Sequence, residues 1–313
     1  MKPSLPPPRH SMASIICGSL AFDTIMNFEG RFAQQIMPDQ LHILNVSFLV
    51  PSLRRDFGGC AGNIAYALKL LGGTPLPMAT VGQDGGGYLE RLAGQGISCE
   101  FVRSVPDTYT AQAMIITDID NNQINGFHPG AMEQAWQNRI TARSDIKLGI
   151  IAPDGRDAML QHAEQFAAAN IPFVFDPGQQ LPRFDGAELR SFVGQATWVA
   201  VNDYEGKMLS ERTGWDNAEI SRQVKGLIVT LGAEGSDVWV DGHKTHVAAV
   251  PATSVVDPTG CGDAYRGALL FGLEQGWSLE RCAALGNHLG SVKIAHRGPQ
   301  NYNFALADAH LPE

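Results

Sequence analysis

A short run near the C-terminus, Asp257-Pro-Thr-Gly-Cys-Gly-Asp263, combines carboxylates with small residues and leads directly into an apolar helical pattern. Successive backbone N–H groups at the start of a helix bind anions, and small residues let a phosphate approach the backbone closely. A carboxylate in the first turn, here Asp263, could take a proton from a hydroxyl group that attacks the phosphate. The run therefore predicts a phosphoryl-transfer site, although a glycine turn with a capping Asp has the same appearance.

A second run of small residues, GGCAGNIA from Gly58 to Ala65, also leads into a helix. It has neither the GxGxxG spacing of dinucleotide sites nor the Lys-Ser/Thr pair of a P-loop. Small residues around the single Asn63 suit the close approach of a polar ligand such as a hydroxylated sugar. Without other signals, the run would be no more than a frequent kind of helix start.

Two further motifs follow predicted strands. Asn202 and Glu205, in NDYE, lie on one helix face after a strand end, where open α/β sheets bind ligands, and could orient metal-bound water near phosphates. On spacing alone, an N-cap with acidic residues in the first turn is the favoured interpretation. The motif TLGAEG, from Thr230 to Gly235, joins two strands and could border a nucleotide or form a plain turn.

The elements that would position these motifs alternate regularly from residue 146 onward. LGIIAP, PFVFDP, TWVAV and GLIVTL are typical of buried strands, and helical patterns lie between them, at 156–170, 186–194 and 204–224. Continuous apolar strands separated by helices predict a parallel sheet covered on both faces. Earlier in the chain, a helix is predicted from Ala61 to Gly72 and a β-hairpin over residues 110–127.

Composition excludes several classes of protein. The chain of 313 residues carries 32 acidic against 23 Lys and Arg side chains, a formal charge of −9, which argues against a general nucleic-acid surface. No apolar run approaches the ~18 residues of a membrane-spanning helix, so no membrane partner is expected. Residues 1–12 are predicted to form a Pro-rich tail. Five cysteines, an odd number without a CxxC pair, indicate free thiols and a cytoplasmic protein.

Taken together and in this order, the motifs resemble the PfkB/ribokinase family of small-molecule kinases over essentially the whole chain after the tail. GGCAGNIA, followed by Gly72 and Gly82, is similar to the N-terminal family signature. DPTGCGDAYRGALL is similar to the C-terminal one, except that Cys261 stands where Ala, Gly or Ser is usual. Within the family, the combination of CGSLAFD, GGCAGNIAYAL, DNNQI and FHPGAM with that signature looks most like bacterial adenosine or nucleoside kinases.

The resemblance implies a ribokinase-like three-layer α/β/α fold with a mainly parallel central sheet, as one kinase domain over residues 13–313. Segments at about 25–55 and 108–128 would form a small β-sheet lid. Asp263 would be the catalytic base, beside an anion hole formed by Gly260, Cys261 and Gly262. The substrate's ribose hydroxyls would bind at Asp23, with neighbours at Gly58, Gly59 and Asn63.

The resemblance also implies residues for the cofactors ATP and Mg²⁺. The ATP-binding residues would be Asn202, Glu205, Thr230, Gly232, Gly235 and Asn287, and Glu205 would hold Mg²⁺ through water. Asp257 and Thr259 lie where some members bind a monovalent cation such as K⁺. Lys293 and His296 depart from the family pattern beside that position.

The function predicted is transfer of the γ-phosphoryl group of ATP to the 5′-hydroxyl of adenosine or a related nucleoside. The alternatives are a ribokinase- or fructokinase-like sugar kinase and a catalytically silent ligand-binding regulator. A homodimer through the lid is also predicted. Cys261 is either a small packing residue or a reactive thiol of lowered pKa. Arg266, one turn after Asp263, either neutralises phosphate or forms an ion pair within its helix.

Overall fold

The computed structural model describes residues 12–36, 45–309 and 311, so the predicted Pro-rich tail lies outside the described residues except for Met12. The strands are β1 (Ala13–Cys17), β2 (Ala21–Asn27), β3 (Ser52–Gly58), β4 (Thr74–Val81), β5 (Val102–Ser104), β6 (Ala111–Thr117), β7 (Gln123–His128), β8 (Ile146–Ile151), β9 (Phe173–Phe175), β10 (Trp198–Asn202), β11 (Leu227–Thr230), β12 (Gly235–Val240) and β13 (His243–Ala248). The helices are α1 (Phe32–Gln35), α2 (Cys60–Leu70), α3 (Gly86–Gly94), α4 (Arg156–Ala168), α5 (Gly186–Gln195), α6 (Asp203–Thr213), α7 (Asn217–Gln223), α8 (Cys261–Glu274) and α9 (Leu279–Lys293).

A nine-stranded sheet forms the centre of the molecule, in the order β13-β12-β11-β10-β9-β8-β1-β4-β5. Its strands are parallel from β11 to β5, and β12 and β13 add an antiparallel edge. Successive side chains of a strand point to opposite faces, so Ile15 and Ile16 of β1 belong to different apolar cores. Helices α2, α3, α8 and α9 cover one core, and α4 to α7 cover the other. The predicted three-layer α/β/α architecture is confirmed.

A smaller four-stranded sheet, β3-β2-β6-β7, is built from the two segments predicted to form the lid. Its two inner strands, β2 and β6, are parallel, and each outer strand pairs antiparallel with its neighbour. The predicted hairpin is β6–β7. Every residue of β7 is exposed, and the sheet exposes large apolar side chains at Leu53, Met114, Ile124 and Phe127.

Local sequence signals explain the ends of the helices that border the site. Asn202 accepts the N–H of Glu205 at 2.7 Å and Glu205 accepts the N–H of Asn202 at 2.9 Å, so the two form a capping box at the start of α6. Gly214, with a φ of 75°, ends α6, so the helical pattern predicted over 204–224 consists of two helices, α6 and α7. Within the described ranges, no helix is long and apolar enough to cross a membrane.

Candidate active site

Two glycine-rich helix starts meet at the carboxyl ends of the central strands. Gly59 and Gly260 are the N-cap residues of α2 and α8, with φ values of 84° and 80°. Such positive φ values favour glycine, and a Cβ on Gly260 would lie 2.6 Å from Cβ of Pro299. The first turns that follow bring Asn63 and Asp263 together, and Asn63 Nδ2 donates to Asp263 Oδ2 at 2.8 Å.

Asp263 lies in the first turn of α8, half-buried in the wall of a cavity. Loss of solvation raises its pKa to about 6, and the nearby carboxylate of Asp176 acts in the same direction. The hydrogen bond from Asn63 and the charge of Arg266 oppose that increase. A carboxylate with such a pKa is ionised at neutral pH, yet it is a stronger base than an exposed aspartate.

The position of Asn63 is fixed by a chain of buried polar side chains. Gln300 Nε2 donates to Asn63 Oδ1 at 3.0 Å and to the hydroxyl of Tyr88 at 2.9 Å. That hydroxyl in turn donates to the carbonyl oxygen of Gly58 at 2.7 Å. Because each member has a partner, the amide of Asn63 is held with its Nδ2 towards Asp263.

Arg266 lies one turn beyond Asp263 and its side chain is only 4% exposed. Its Nη2 is 3.1 Å from Oδ1 of Asp176, which follows β9, so the ion pair links two elements and the prediction of a pair within the helix is wrong. Its Nε and Nη1 have no hydrogen-bond partner among the described residues. Buried guanidinium nitrogens are rarely left unpaired, and these belong to a side chain that lines the cavity. Both atoms are themselves shielded from solvent, so Arg266 acts on the cavity through its positive charge and not through a free N–H group.

Cys261 begins α8, but its surroundings do not activate the thiol. Burial raises its pKa to about 11, and the carboxylates of Asp257 and Asp263 add to that effect, while Lys293 opposes it. The alternative of a thiol with a lowered pKa is therefore not supported by the structure. The side chain occupies the position of a small residue.

The main cavity has a volume of about 560 Å³. It brings together most of the predicted site residues from seven different elements or loops: Asp23, Gly59, Asn63, Asn202, Glu205, Thr230, Thr259, Gly260, Gly262 and Asp263. Gly58 lies behind the wall, where a Cβ would be 2.4 Å from Oδ2 of Asp23. Sequence reasoning did not select Ser19, Cys60 and Asp176, which also line the cavity. The end of the strand motif PFVFDP was a signal for Asp176, because ligands bind at the carboxyl ends of parallel strands.

A second cavity of about 380 Å³ adjoins the first, since Thr230 and Gly262 line both. Its wall contains Gly232, Gly235 and Asn287, together with small or apolar residues: Ala233, Ala249, Val250, Pro251, Ala252, Val255, Gly286, Gly290 and Ile294. The side chain of Asn287 donates to the carbonyls of Val247 and Ala248 and accepts from Ser236. Asn287 therefore fixes β13 against α9 and shapes this cavity, whose apolar wall suits a flat heterocycle.

Asp23, on β2, contributes a carboxylate from the smaller sheet. Burial raises its pKa to about 6, with further contributions from Asp56 and Asp257, which Arg54 opposes. A carboxylate that is ionised at neutral pH can accept hydrogen bonds from two hydroxyl groups of a sugar. Its position over Gly58 fixes it beside the start of α2.

The polar residues at the start of α6, which line the main cavity, fit magnesium only through water. The capping box occupies one carboxylate oxygen of Glu205 and the side-chain oxygen of Asn202. The described residues contain no cluster of three or more His, Cys, Asp or Glu that could ligate a metal directly. Magnesium retains several waters and binds mainly to phosphates, so a single free carboxylate oxygen agrees with its usual chemistry.

Comparisons with known proteins agree with this geometry. The family model "pfkB family carbohydrate kinase" matches residues 30–304. The chain is 30% identical over 292 residues to a nucleoside kinase of Methanocaldococcus jannaschii, covering 92% of this chain and 93% of that protein. Among solved structures, it is similar to the Burkholderia thailandensis nucleoside kinase in complex with inosine, with 52% identity, a TM-score of 0.85 and 95% of each chain covered. The same enzyme in complex with ADP-inosine has 53% identity and a TM-score of 0.82, with 95% of this chain and 93% of that one covered.

Family, fold and site chemistry lead to one conclusion. The match to the family model covers most of the chain, and the Methanocaldococcus nucleoside kinase is matched over 93% of its length. The cavity contains a carboxylate, Asp263, in the first turn of a helix, a combination that suits transfer of a phosphoryl group to a hydroxyl. The chain belongs to the pfkB family of carbohydrate kinases and is a ribokinase-like phosphotransferase that uses an alcohol group as acceptor.

Proposed function

We propose that the protein transfers the γ-phosphoryl group of ATP to the 5′-hydroxyl of adenosine or a related nucleoside such as inosine. The observation that carries this proposal is the position of Asp263 at the start of α8, on the wall of the main cavity, while Gly262 beside it also lines the second cavity. A nucleoside in the main cavity and ATP in the second would meet at that helix start. The named activity of the Methanocaldococcus relative and the inosine and ADP-inosine complexes of the Burkholderia enzyme support the choice of substrates.

In the proposed reaction, the ionised carboxylate of Asp263 accepts the proton of the 5′-hydroxyl. The hydroxyl oxygen forms a bond to the γ-phosphorus, and the bond from that phosphorus to the β,γ-bridging oxygen breaks, so that ADP leaves with the electron pair. Asn63 orients the base through its 2.8 Å hydrogen bond. Most of the rate acceleration would come from positioning and from stabilisation of charge.

Negative charge on the transferring group would be held by the start of α8. Cys261 N–H donates to the carbonyl of Pro258 at 3.2 Å and Ala264 N–H to that of Gly260 at 2.9 Å. Among the described residues, no acceptor is found for the N–H groups of Gly262 and Asp263. These two groups, the helix dipole and the positive charge of Arg266 form the anion hole that we propose.

Magnesium would bind between Glu205 and the phosphates of ATP, through water. When bound, it neutralises phosphate charge. Asn202 keeps the carboxylate of Glu205 in place through the capping box. Asp23 would accept hydrogen bonds from the ribose hydroxyls.

The smaller sheet is proposed to close over the nucleoside and to exclude water that would otherwise accept the phosphoryl group. Its β7 edge and its exposed Met114 and Ile124 would pair with a second copy of the chain to form a homodimer. Sedimentation of the wild type and of Ile124→Glu tests the dimer. Five free cysteines agree with the proposed cytoplasmic location.

An ADP-release assay with ATP and Mg²⁺ tests the function against adenosine, inosine, guanosine, cytidine, ribose and fructose. We expect the nucleosides to outpace the free sugars, with the 5′-monophosphate as product by mass spectrometry and NMR. Faster turnover of ribose or fructose would replace the proposal by the sugar-kinase alternative. Binding of a nucleoside without turnover would identify a silent regulator.

A further inference from the structure

Lys293, the last residue of α9, is the one fully buried lysine among the described residues, with 0% exposure. Its ammonium group donates to the main-chain carbonyls of Asp257 at 2.7 Å and of His296 at 3.2 Å. Removing an ammonium group from water is costly unless it finds partners of opposite polarity. A buried ammonium held by backbone oxygens therefore indicates a position that the fold reserves for a cation.

This position adjoins the loop that leads into the proposed anion hole. The N–H groups of Val256 and Asp257 both donate to the carbonyl of Ile294, at 2.9 and 3.0 Å, so the loop before α8 is attached to the end of α9. Lys293 adds a charged hydrogen bond to the same loop, three residues before Gly260. The end of a helix favours a positive charge, because its last carbonyl groups lack partners within the helix.

The carboxylate of Asp257 is occupied by other donors. Its Oδ1 accepts the N–H of Thr259 and its Oδ2 accepts the N–H of Gly298, both at 2.9 Å. Arg54, on β3, lies 3.5 Å from the same Oδ2. The carbonyl oxygen that Asp257 could offer to a monovalent cation is the one that accepts from Lys293, so ammonium and cation would compete for it.

We propose that the ammonium group of Lys293 takes the place of a bound monovalent cation at the loop 257–260, and that the enzyme therefore requires no monovalent cation. The inference rests on the proposed kinase function, because the loop ends at the anion hole. Lys293 is a positioning residue, since it acts through the loop and touches neither substrate. Burial lowers the pKa of Lys293, and the carboxylate of Asp257 opposes that change.

The proposal makes the cation requirement a property of one side chain. In the wild type, K⁺ should be unnecessary. In Lys293→Ala, the carbonyls of Asp257 and His296 would face an empty space of ammonium size, which K⁺ can enter. In Lys293→Met, an uncharged side chain of similar length fills that space, so K⁺ should not restore the loop.

The experiment measures ADP release with inosine and the Tris salt of ATP, in KCl or in tetramethylammonium chloride of equal ionic strength. We expect equal wild-type rates within about twofold. Lys293→Ala should lose at least about tenfold in kcat in tetramethylammonium and recover in KCl, whereas Lys293→Met should lose as much and not recover. The exposed Lys147, replaced by Ala, is the matched control and should behave as wild type.

Thermal melting in the same two salts supplies a readout that does not depend on turnover. KCl should raise the Tm of Lys293→Ala and leave that of the wild type unchanged. Activation of the wild type by K⁺, a wild-type kcat in Lys293→Met, or indifference of Lys293→Ala to K⁺ in both rate and Tm would overturn the proposal. If neither variant folds, the proposal is tested by the wild-type rates in KCl and in tetramethylammonium chloride, which should be equal. If the wild type shows no turnover, the proposed kinase function is refuted instead. The melting data would then still show whether K⁺ binds in place of the Lys293 ammonium group.

Discussion

The starts of α2 and α8 share the same local design, but differ in where their first amides bond. Each has an N-cap glycine of positive φ followed by a cysteine. At α2, Ser19 accepts both leading amides, that of Cys60 through Oγ at 3.2 Å and that of Ala61 through its carbonyl at 3.0 Å. At α8, the N–H groups of Gly262 and Asp263 have no acceptor among the described residues.

The difference shows that a glycine-rich helix start does not by itself form an anion site. At the start of α2, Ser19 satisfies the two leading amides, and the next residue, Gly62, does not line the cavity, so this turn faces the cavity with the side chain of Asn63. The start of α8 keeps the amides of Gly262 and Asp263 available and is flanked by two buried cations, Arg266 and Lys293. We therefore expect substitutions at α8 to lower kcat and those at α2 to act mainly on the nucleoside or on the base.

Asp263→Asn should have the largest effect, because it removes the base and keeps the shape of the α8 start. We expect kcat to fall by about 10³-fold or more, with nucleoside and nucleotide affinities changed little. Single-turnover transfer from radiolabelled ATP, with calorimetry for binding, measures both. Retention of the wild-type rate would show that the base lies elsewhere.

Arg266→Met should come next, since it removes the buried positive charge of a side chain that lines the main cavity. It also leaves Asp176 buried without a partner, so the double variant Arg266→Met with Asp176→Asn provides the matched background for stability. In that background we expect kcat to fall by about 10²-fold with an unchanged KM for the nucleoside. A loss confined to Tm, with kcat preserved, would assign Arg266 a purely structural role.

Asn63→Ala, on α2, should change the pKa of the base Asp263. The hydrogen bond from Asn63 lowers the pKa of Asp263, so its loss should raise that pKa above about 6. Because the ionised form is the active base, the acid limb of the kcat profile should move to higher pH. We expect about a tenfold loss at pH 7 and a smaller one at pH 9. If the acid limb stayed at the wild-type pH, Asn63 would have no influence on the pKa of the base.

Cys261→Ala should have the smallest effect, since the thiol of raised pKa serves only as a small side chain beside the anion hole. We expect kcat to stay within about threefold of wild type. The same substitution at Cys99, which lines neither cavity, is the control. A loss comparable to that of Asp263→Asn would reverse the roles given to these residues.

Fold class and most of the site could be predicted from sequence, for physical reasons visible in particular residues. Apolar strands such as GLIVTL are buried on both faces, and the glycines before Cys60 and Cys261 are required by their positive φ. Arg266 and Lys293 could not be interpreted, because their partners, Asp176 and the carbonyl of Asp257, lie 90 and 36 residues away. Local spacing suggested an ion pair within the helix for Arg266, and tertiary contact produced a different one.

The central claim is that phosphoryl transfer takes place at the start of α8 and not at that of α2. Amide chemical shifts measured by TROSY NMR on inosine-saturated enzyme, before and after addition of ADP, Mg²⁺ and fluoroaluminate, test it most directly. The account predicts large shifts for the N–H groups of Gly262 and Asp263 and almost none for those of Cys60 and Ala61. Shifts centred on Cys60 and Ala61, with Gly262 and Asp263 unchanged, would contradict it.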